Sequence, residues 1–333
     1  MLSKNKVNQL FLDSGLKKSS ANSYSNALST IINKLAEGDF SVLKDKTEKW
    51  FKEDVFNKKF KHLKATTKRN YISSIVGWMK INKDVHNDLF KSLSTERDDL
   101  NSIYTRIIEK GEKTDYEKAQ WVPASELSDI FENKILPVLK RYNLDSSNRK
   151  PLKMSEFEDK DINTIQDFVV TAFYLYPFFD PESNFGVLRN DLSGLIYYPY
   201  KGSKAKIPDD KINNFFMSTP SSGKLLMRDF KTFSSHGETT LVLPKFIAAM
   251  LRKWAIFLGL KINDIVFPNL TKVDITHILQ KKLLKYSNKK ISVQMLRKIY
   301  ISFRFKDNQE AREEVANSMM HNVETQNEFY TKT

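Results

Sequence analysis

The chain is 333 residues long, with 54 lysines and arginines against 40 aspartates and glutamates, and 40% of its residues are hydrophobic. That length favours two domains, and the apolar and aromatic content excludes a natively disordered chain. The absence of cysteine excludes disulfides, thiolate metal sites and a cysteine nucleophile. No apolar run has membrane-spanning length, so no membrane partner is expected; the expected setting is intracellular, in the cytoplasm or nucleus of a host cell.

The net charge of +14 is shared evenly, +7 in residues 1–120 and +7 in residues 121–333. Locally it is sharper. Residues 55–83 hold eight Lys/Arg and no acid, among them Lys58, Lys59, Lys61, Lys64, Lys68 and Arg69. Residues 275–306 hold nine, again without an acid, including Lys289, Lys290, Arg297 and Lys298. Such stretches are what a surface tracking a phosphate backbone needs. The alternative is a lysine-rich composition decorating solvated faces.

In chain order, residues 1–115 read as helical: glycine is sparse, proline is absent, and apolar residues recur every three or four positions. Within them "LKKSSANSYSNAL" (16–28) is echoed by "LKATTKRNYISSI" (63–75). In both, a hydroxyl residue suits a helix N-cap and the tyrosine four residues later faces the core. Lys17, Lys18 and Lys64 would add charge beside helix N-termini, which favour phosphate. Two ordinary capped helices explain the echo equally well. A polar linker is expected near 110–120, dividing a domain 1–115 from a domain 116–333. "WVPASELSDIFENKILPVLKRYNL" restarts a helix with Pro123 in its first turn and Ser125 or Ser128 as cap candidates. An apolar helix is expected over 165–176. A turn then leads into a short helix that carries Arg189.

From 195 to 243 the texture becomes β-rich. "LIYYPY" and "FFMST" read as strands, and "GKLLMRDFKTFSSHGETTLVLP" as a hairpin turning at Ser234–Gly237 with Lys231 just before the turn. The remainder reads as four helices, "KFIAAMLRKWAIFLGL", "VDITHILQKKLLKYS", "SVQMLRKIYISFRF" and "QEAREEVANSMM". The expected class is mainly α with a small antiparallel β-sheet. No phosphate-binding P-loop, dinucleotide fingerprint or H-E-x-x-H is present.

The chain ends on "MMHNVETQNEFYTKT", where His321 is followed nine residues later by Tyr330. Upstream, in order, come Arg189, Lys231 on the hairpin, and Arg297 on a helix 24 residues before His321. This order resembles the tyrosine recombinase (integrase) family, and the likeness covers about residues 121–330. "LRNDLSGL" is similar to the family's first-arginine helix, "DFKTFSSHGETTLVLP" to its lysine hairpin, "SVQMLRKIYIS" to its second-arginine helix and "MMHNVETQNEFYTK" to its His…Tyr end. The likeness is to the divergent integrases of mobile elements and DNA viruses. "KATTKRNYISSIVGWMK" resembles the helical core-binding domain that closes a clamp around DNA.

The resemblance implies a site-specific DNA recombinase working without metal, ATP or other cofactor on double-stranded DNA, assembled on it as a homo-tetramer. Tyr330 would attack the phosphorus to give a 3′-phosphotyrosyl link. Arg189 and Arg297 would clamp the phosphate oxygens, Lys231 would act as general acid, and His321 would assist. The chemistry fits these residue types. Two guanidiniums grip a phosphate bidentately, as ammonium groups cannot, and a phenol with its ordinary pKa near 10 attacks better in a positive pocket. The sequence departs from the family pattern in three places. Gln294 stands where a His or Lys usually precedes the second arginine by three, and is a candidate phosphate contact. Asp191 follows Arg189 by two residues rather than three, as a candidate orienting carboxylate. Met320 replaces the glycine usual before the histidine. The alternatives are a type IB topoisomerase-like strand transferase, a non-catalytic DNA-binding protein with a decayed site, and a helical RNA-binding or structural protein.

Overall fold

A computed structural model describes residues 2–45, 47–82, 88–109, 112–183, 185–199, 207, 213–219, 222–231, 233, 237–304 and 319. The chain divides into two compact units, Met1–Lys110 and Gly111–Thr333.

The first unit is helical: α1 (Lys4–Asp13), α2 (Lys18–Ala36), α3 (Val42–Asp45), α4 (Thr47–Lys52), α5 (Val55–Phe60), α6 (Ala65–Ile81) and α7 (Asp88–Glu109). The sequence echo has a structural counterpart. α2 and α6 start on Lys17 and Lys64 with nearly the same backbone, φ −59°, ψ 144° and φ −60°, ψ 146°. Neither start has a side-chain cap bond, so the expected hydroxyl caps do not form. Seven residues on, Tyr24 and Tyr71 each take an edge-on phenylalanine, Phe11 at 5.6 Å and Phe60 at 5.3 Å. A Cβ on Gly77 of α6 would lie 3.1 Å from the Tyr24 ring, so glycine there permits the close approach of α2 and α6. The core beneath is built of Phe11, Leu28, Ile31, Phe56, Ile72 and Trp78, among others.

In the second unit the expected linker is largely ordered structure. Its residues 115–120 form α8 (Asp115–Gln120), held by a capping box between Thr114 and Glu117. α9 (Ala124–Ile130) starts on Pro123 without a serine cap and runs through a π-helical turn, Phe131–Ile135, into α10 (Leu136–Arg141). Phe131 in that turn packs on Phe179 at 4.7 Å and Phe246 at 5.6 Å. The centre is α11 (Asp159–Phe179), whose side chains from Phe168 to Phe178 are all buried. A helix apolar all round belongs inside.

The sheet contains β1 (Ile196–Pro199), β2 (Phe215–Ser218), β3 (Gly223–Met227) and β4 (Thr239–Val242), in that order. β2, β3 and β4 pair antiparallel, whereas β1 pairs parallel to β2 with Ile196 opposite Phe215. The sheet is therefore mixed, correcting the expected antiparallel one. Three helices follow, α12 (Lys245–Phe257), α13 (Lys272–Ser287) and α14 (Val293–Arg304), at three of the four expected places. Of "QEAREEVANSMM", only Met319 lies among the described residues; its side chain is buried in the unit's core. Among the described residues no helix is long and apolar enough to cross a membrane.

Candidate active site

Residues 185–189 have neither helical nor strand pairing, correcting the expectation that Arg189 rides on a short helix; a turn follows at 191–194. The cause is where the carbonyls go. Val187 O accepts from Arg297 Nη1 of α14 at 2.7 Å, Arg189 O from the Tyr174 hydroxyl of α11 at 2.6 Å, and Asp191 O from Asn214 Nδ2 at 3.2 Å. Alternate carbonyls taken by side chains of α14, α11 and the residue before β2 satisfy the main chain without a helix. Between them, Asn190 Nδ2 donates to Lys272 O at 2.7 Å and Thr276 Oγ1 at 3.0 Å, which ties the segment to the first turn of α13.

Charge gathers around this segment. Arg297 is 1% exposed, and its Nη2 also reaches Met319 O at 3.5 Å. Asp191 is 4% exposed, and its Oδ2 has no hydrogen-bond partner among the described residues. Burial pushes the Asp191 carboxyl up, Lys272, Arg189 and Arg297 pull it down, Asp229 pushes it up again, and the net direction is up. The Tyr174 phenol is held well above its ordinary value by burial and by Asp191, so it remains a donor. Arg189 is half-buried. Arg189, Asp191, Lys272 and Arg297 thus share one electrostatic neighbourhood. Gln294, one turn before Arg297 on α14, is exposed.

Lys231 is exposed on the connection between β3 and β4. That connection is longer than expected: β3 ends at Met227, opposite Thr239, so "DFKTF" belongs to the connection and not to the strand. Phe230 is buried and meets Phe233 edge-on at 5.9 Å. Arg228 Nε donates to Glu238 Oε2 at 2.5 Å across the neck. Asn214 again does the joining: its Oδ1 accepts from the amides of Arg228 and Asp229 at 2.8 Å each, and its Nδ2 donates to Asp229 O at 2.8 Å. His321, Tyr330 and the expected turn residues Ser234, Ser235 and His236 lie outside the described residues.

The two basic stretches fare differently. In the first, Lys58, Lys59, Lys61 and Lys64 are exposed, as are Lys17 and Lys18 outside it, while Lys68 pairs with Glu96 at 2.6 Å and Arg69 lies over Tyr104 at 4.8 Å. In the second stretch Lys298 pairs with Glu117, Lys289 Nζ donates to Ala119 O at 2.7 Å, and Arg304 pairs with Glu182 at 2.9 Å. Lys282 is buried against the Phe168 ring. Lys290 is exposed, with its amide on Gln120 Oε1 at 2.6 Å. Acids and carbonyls distant in sequence reach most of the stretch that has no acid of its own.

Sequence reasoning missed Tyr174, Asn214 and Lys272. A phenol inside a helix as apolar as α11 needs a buried acceptor, a signal that could have flagged Tyr174. An asparagine just before a strand gives no such signal. No protein-family model, no curated protein and no solved structure matches this chain.

Proposed function

We propose that the chain is a site-specific DNA recombinase of the tyrosine type, an integrase that cuts and rejoins DNA strands. The Tyr330 oxygen bonds to phosphorus while the bond from phosphorus to the 5′-oxygen breaks. The phenol's proton passes to solvent or His321, and the leaving 5′-oxygen takes one from Lys231. Arg189 and Arg297 stabilise charge on the non-bridging oxygens, with Gln294 as an added contact and Asp191 orienting Arg189. The phosphotyrosyl link conserves the energy needed for rejoining, so ATP is not consumed. Double-stranded DNA is the partner, and a homo-tetramer on DNA is the assembly.

One observation carries most of the support. The Arg297 guanidinium hydrogen-bonds both Val187 O, two residues before Arg189, and Met319 O, two residues before His321. Sites 110 and 22 residues away in sequence therefore converge on one cation. The same burial favours a second reading, in which Arg297 is a structural staple in a DNA-binding protein whose site has decayed.

A pool of nicked duplexes, randomised around the nick so that the cut fragment is lost, separates the two. The expected result is a protein–DNA adduct that survives SDS, forms in EDTA and disappears in Tyr330→Phe. Arg297→Ala should lower its rate by ~10²–10³ or more, as loss of a charge-stabilising donor does. DNA binding without any adduct supports the decayed site instead.

A further inference from the structure

Asn214 stands just before β2, 3% exposed. A carboxamide has two N–H donors and two acceptor lone pairs on its oxygen. All four are engaged: the oxygen by the amides of Arg228 and Asp229, the nitrogen by Asp191 O and Asp229 O. The acceptor at 191 is 23 residues away, and the partners at 228 and 229, a donor amide and a residue that both donates and accepts, are 14 and 15 away. One side chain therefore fixes the main chain two residues after Arg189 against the main chain two residues before Lys231. The electrostatics agree, because Asp229 acts on the Asp191 carboxyl.

Two other contacts of the Lys231 connection among the described residues do less to fix this register. Phe230 is buried, but apolar contact is not directional. The Arg228–Glu238 pair joins the two sides of the neck to each other, not to residue 191.

We propose that Asn214 is a positioning residue that couples the Arg189 segment to the connection carrying Lys231, so that proton delivery to the leaving 5′-oxygen depends on its carboxamide. The proposal rests on the strand-transfer reading and deepens it. Asn214 touches neither DNA nor reacting atoms in this scheme; it sets the distance between the group that holds the phosphate and the group that protonates the leaving oxygen. A misplacement of about 1 Å at such a centre costs on the order of 10²-fold in rate.

The informative variant is Asn214→Asp. It keeps an oxygen for the amides of Arg228 and Asp229, and replaces the N–H groups facing Asp191 O and Asp229 O with a second oxygen that repels them. Cleavage is compared on two synthetic duplexes of a sequence recovered from the randomised pool, one natural and one with sulfur as the 5′-bridging atom. A thiolate leaves without a proton donor, so a defect in protonation vanishes on the sulfur substrate. Lys231→Ala provides the reference signature: slow on oxygen, restored on sulfur. The expectation for Asn214→Asp is the same split, roughly 10–100-fold slower on oxygen and within about threefold of wild type on sulfur.

Equal slowing on both substrates means general disruption of the fold and overturns the coupling, as does full activity on oxygen. If thermal unfolding shows that Asn214→Asp does not fold, Asn214→Ser, whose hydroxyl still accepts from an amide, carries the same comparison. A wild-type chain that makes no adduct from either duplex sinks the strand-transfer reading and this proposal with it. An active wild type beside an unsplit Asn214 variant sinks this proposal alone.

Discussion

Asp191 holds a buried carboxyl, with three cations near and one oxygen lacking a partner among the described residues. Its folded pKa lies above the ordinary value, chiefly through burial. For an acid shifted this way, the contribution to stability is fully present below the unfolded pKa and is lost as pH rises through the folded one. Asp191→Asn has no proton to lose and removes that slope. Urea midpoints should show the variant gaining on wild type between the ordinary carboxylate range and neutrality, with the gap closing in acid. A gap that widens on acidification would mean that the cations outweigh the desolvation. The variant should at the same time lose cleavage rate if the carboxylate orients Arg189. A neutral isostere more stable yet less active is the signature of strain kept at a functional position.

Among elements, α8 and α14 are joined by a part-buried pair, Lys298 with the buried Glu117. Burial pushes the Glu117 carboxyl up, but the hydrogen bonds from Lys298 and Thr114 outweigh it, and the net direction is down. A depressed acid stabilises the fold above its unfolded pKa, and that contribution is lost as pH falls through the folded value. Lys298→Met leaves Glu117 buried without its cation and should cost about 2 kcal/mol at neutral pH, shrinking in acid, by chemical denaturation. Hydrogen exchange should show α8 opening first. The legibility of the chain divides along the same line between local and distant information. α13 and α14 could be read from periodicity and α11 from its apolar run, because those signals sit within a few turns. The parallel pairing of β1 with β2 could not, because it depends on a partner nearly twenty residues on. "DFKTF" reads as part of the hairpin's strand, yet β3 ends at Met227, opposite Thr239. At the candidate site, Arg189, Lys231 and Arg297 were legible as an ordered set of cations. Tyr174 and Asn214, which hold the main chain around them, were not, because a hydrogen bond to a distant carbonyl leaves no mark in local sequence.

Across the whole molecule, a net charge of +14 says that the chain repels itself and attracts anions, but not which cations meet them. Two lysines of one acid-free run illustrate the distinction: Lys61 is exposed, whereas Lys68 is within 2.6 Å of Glu96. A lysine that neutralises a phosphate releases a counterion, so log affinity falls with log salt by about 0.9 for each such contact on duplex DNA. A lysine already neutralised by a carboxylate has little to release. Binding of a fluorescent duplex, titrated from roughly 50 to 200 mM salt, can therefore count the working cations. Replacing Lys58, Lys59 and Lys61 together with glutamine should flatten the slope by about 2 to 3 and weaken binding to any sequence alike. Lys68→Gln, whose ammonium group bonds the Glu96 carboxylate, should leave the slope nearly unchanged. If the triple variant keeps the wild-type slope, residues 55–83 are a solvated lysine-rich face.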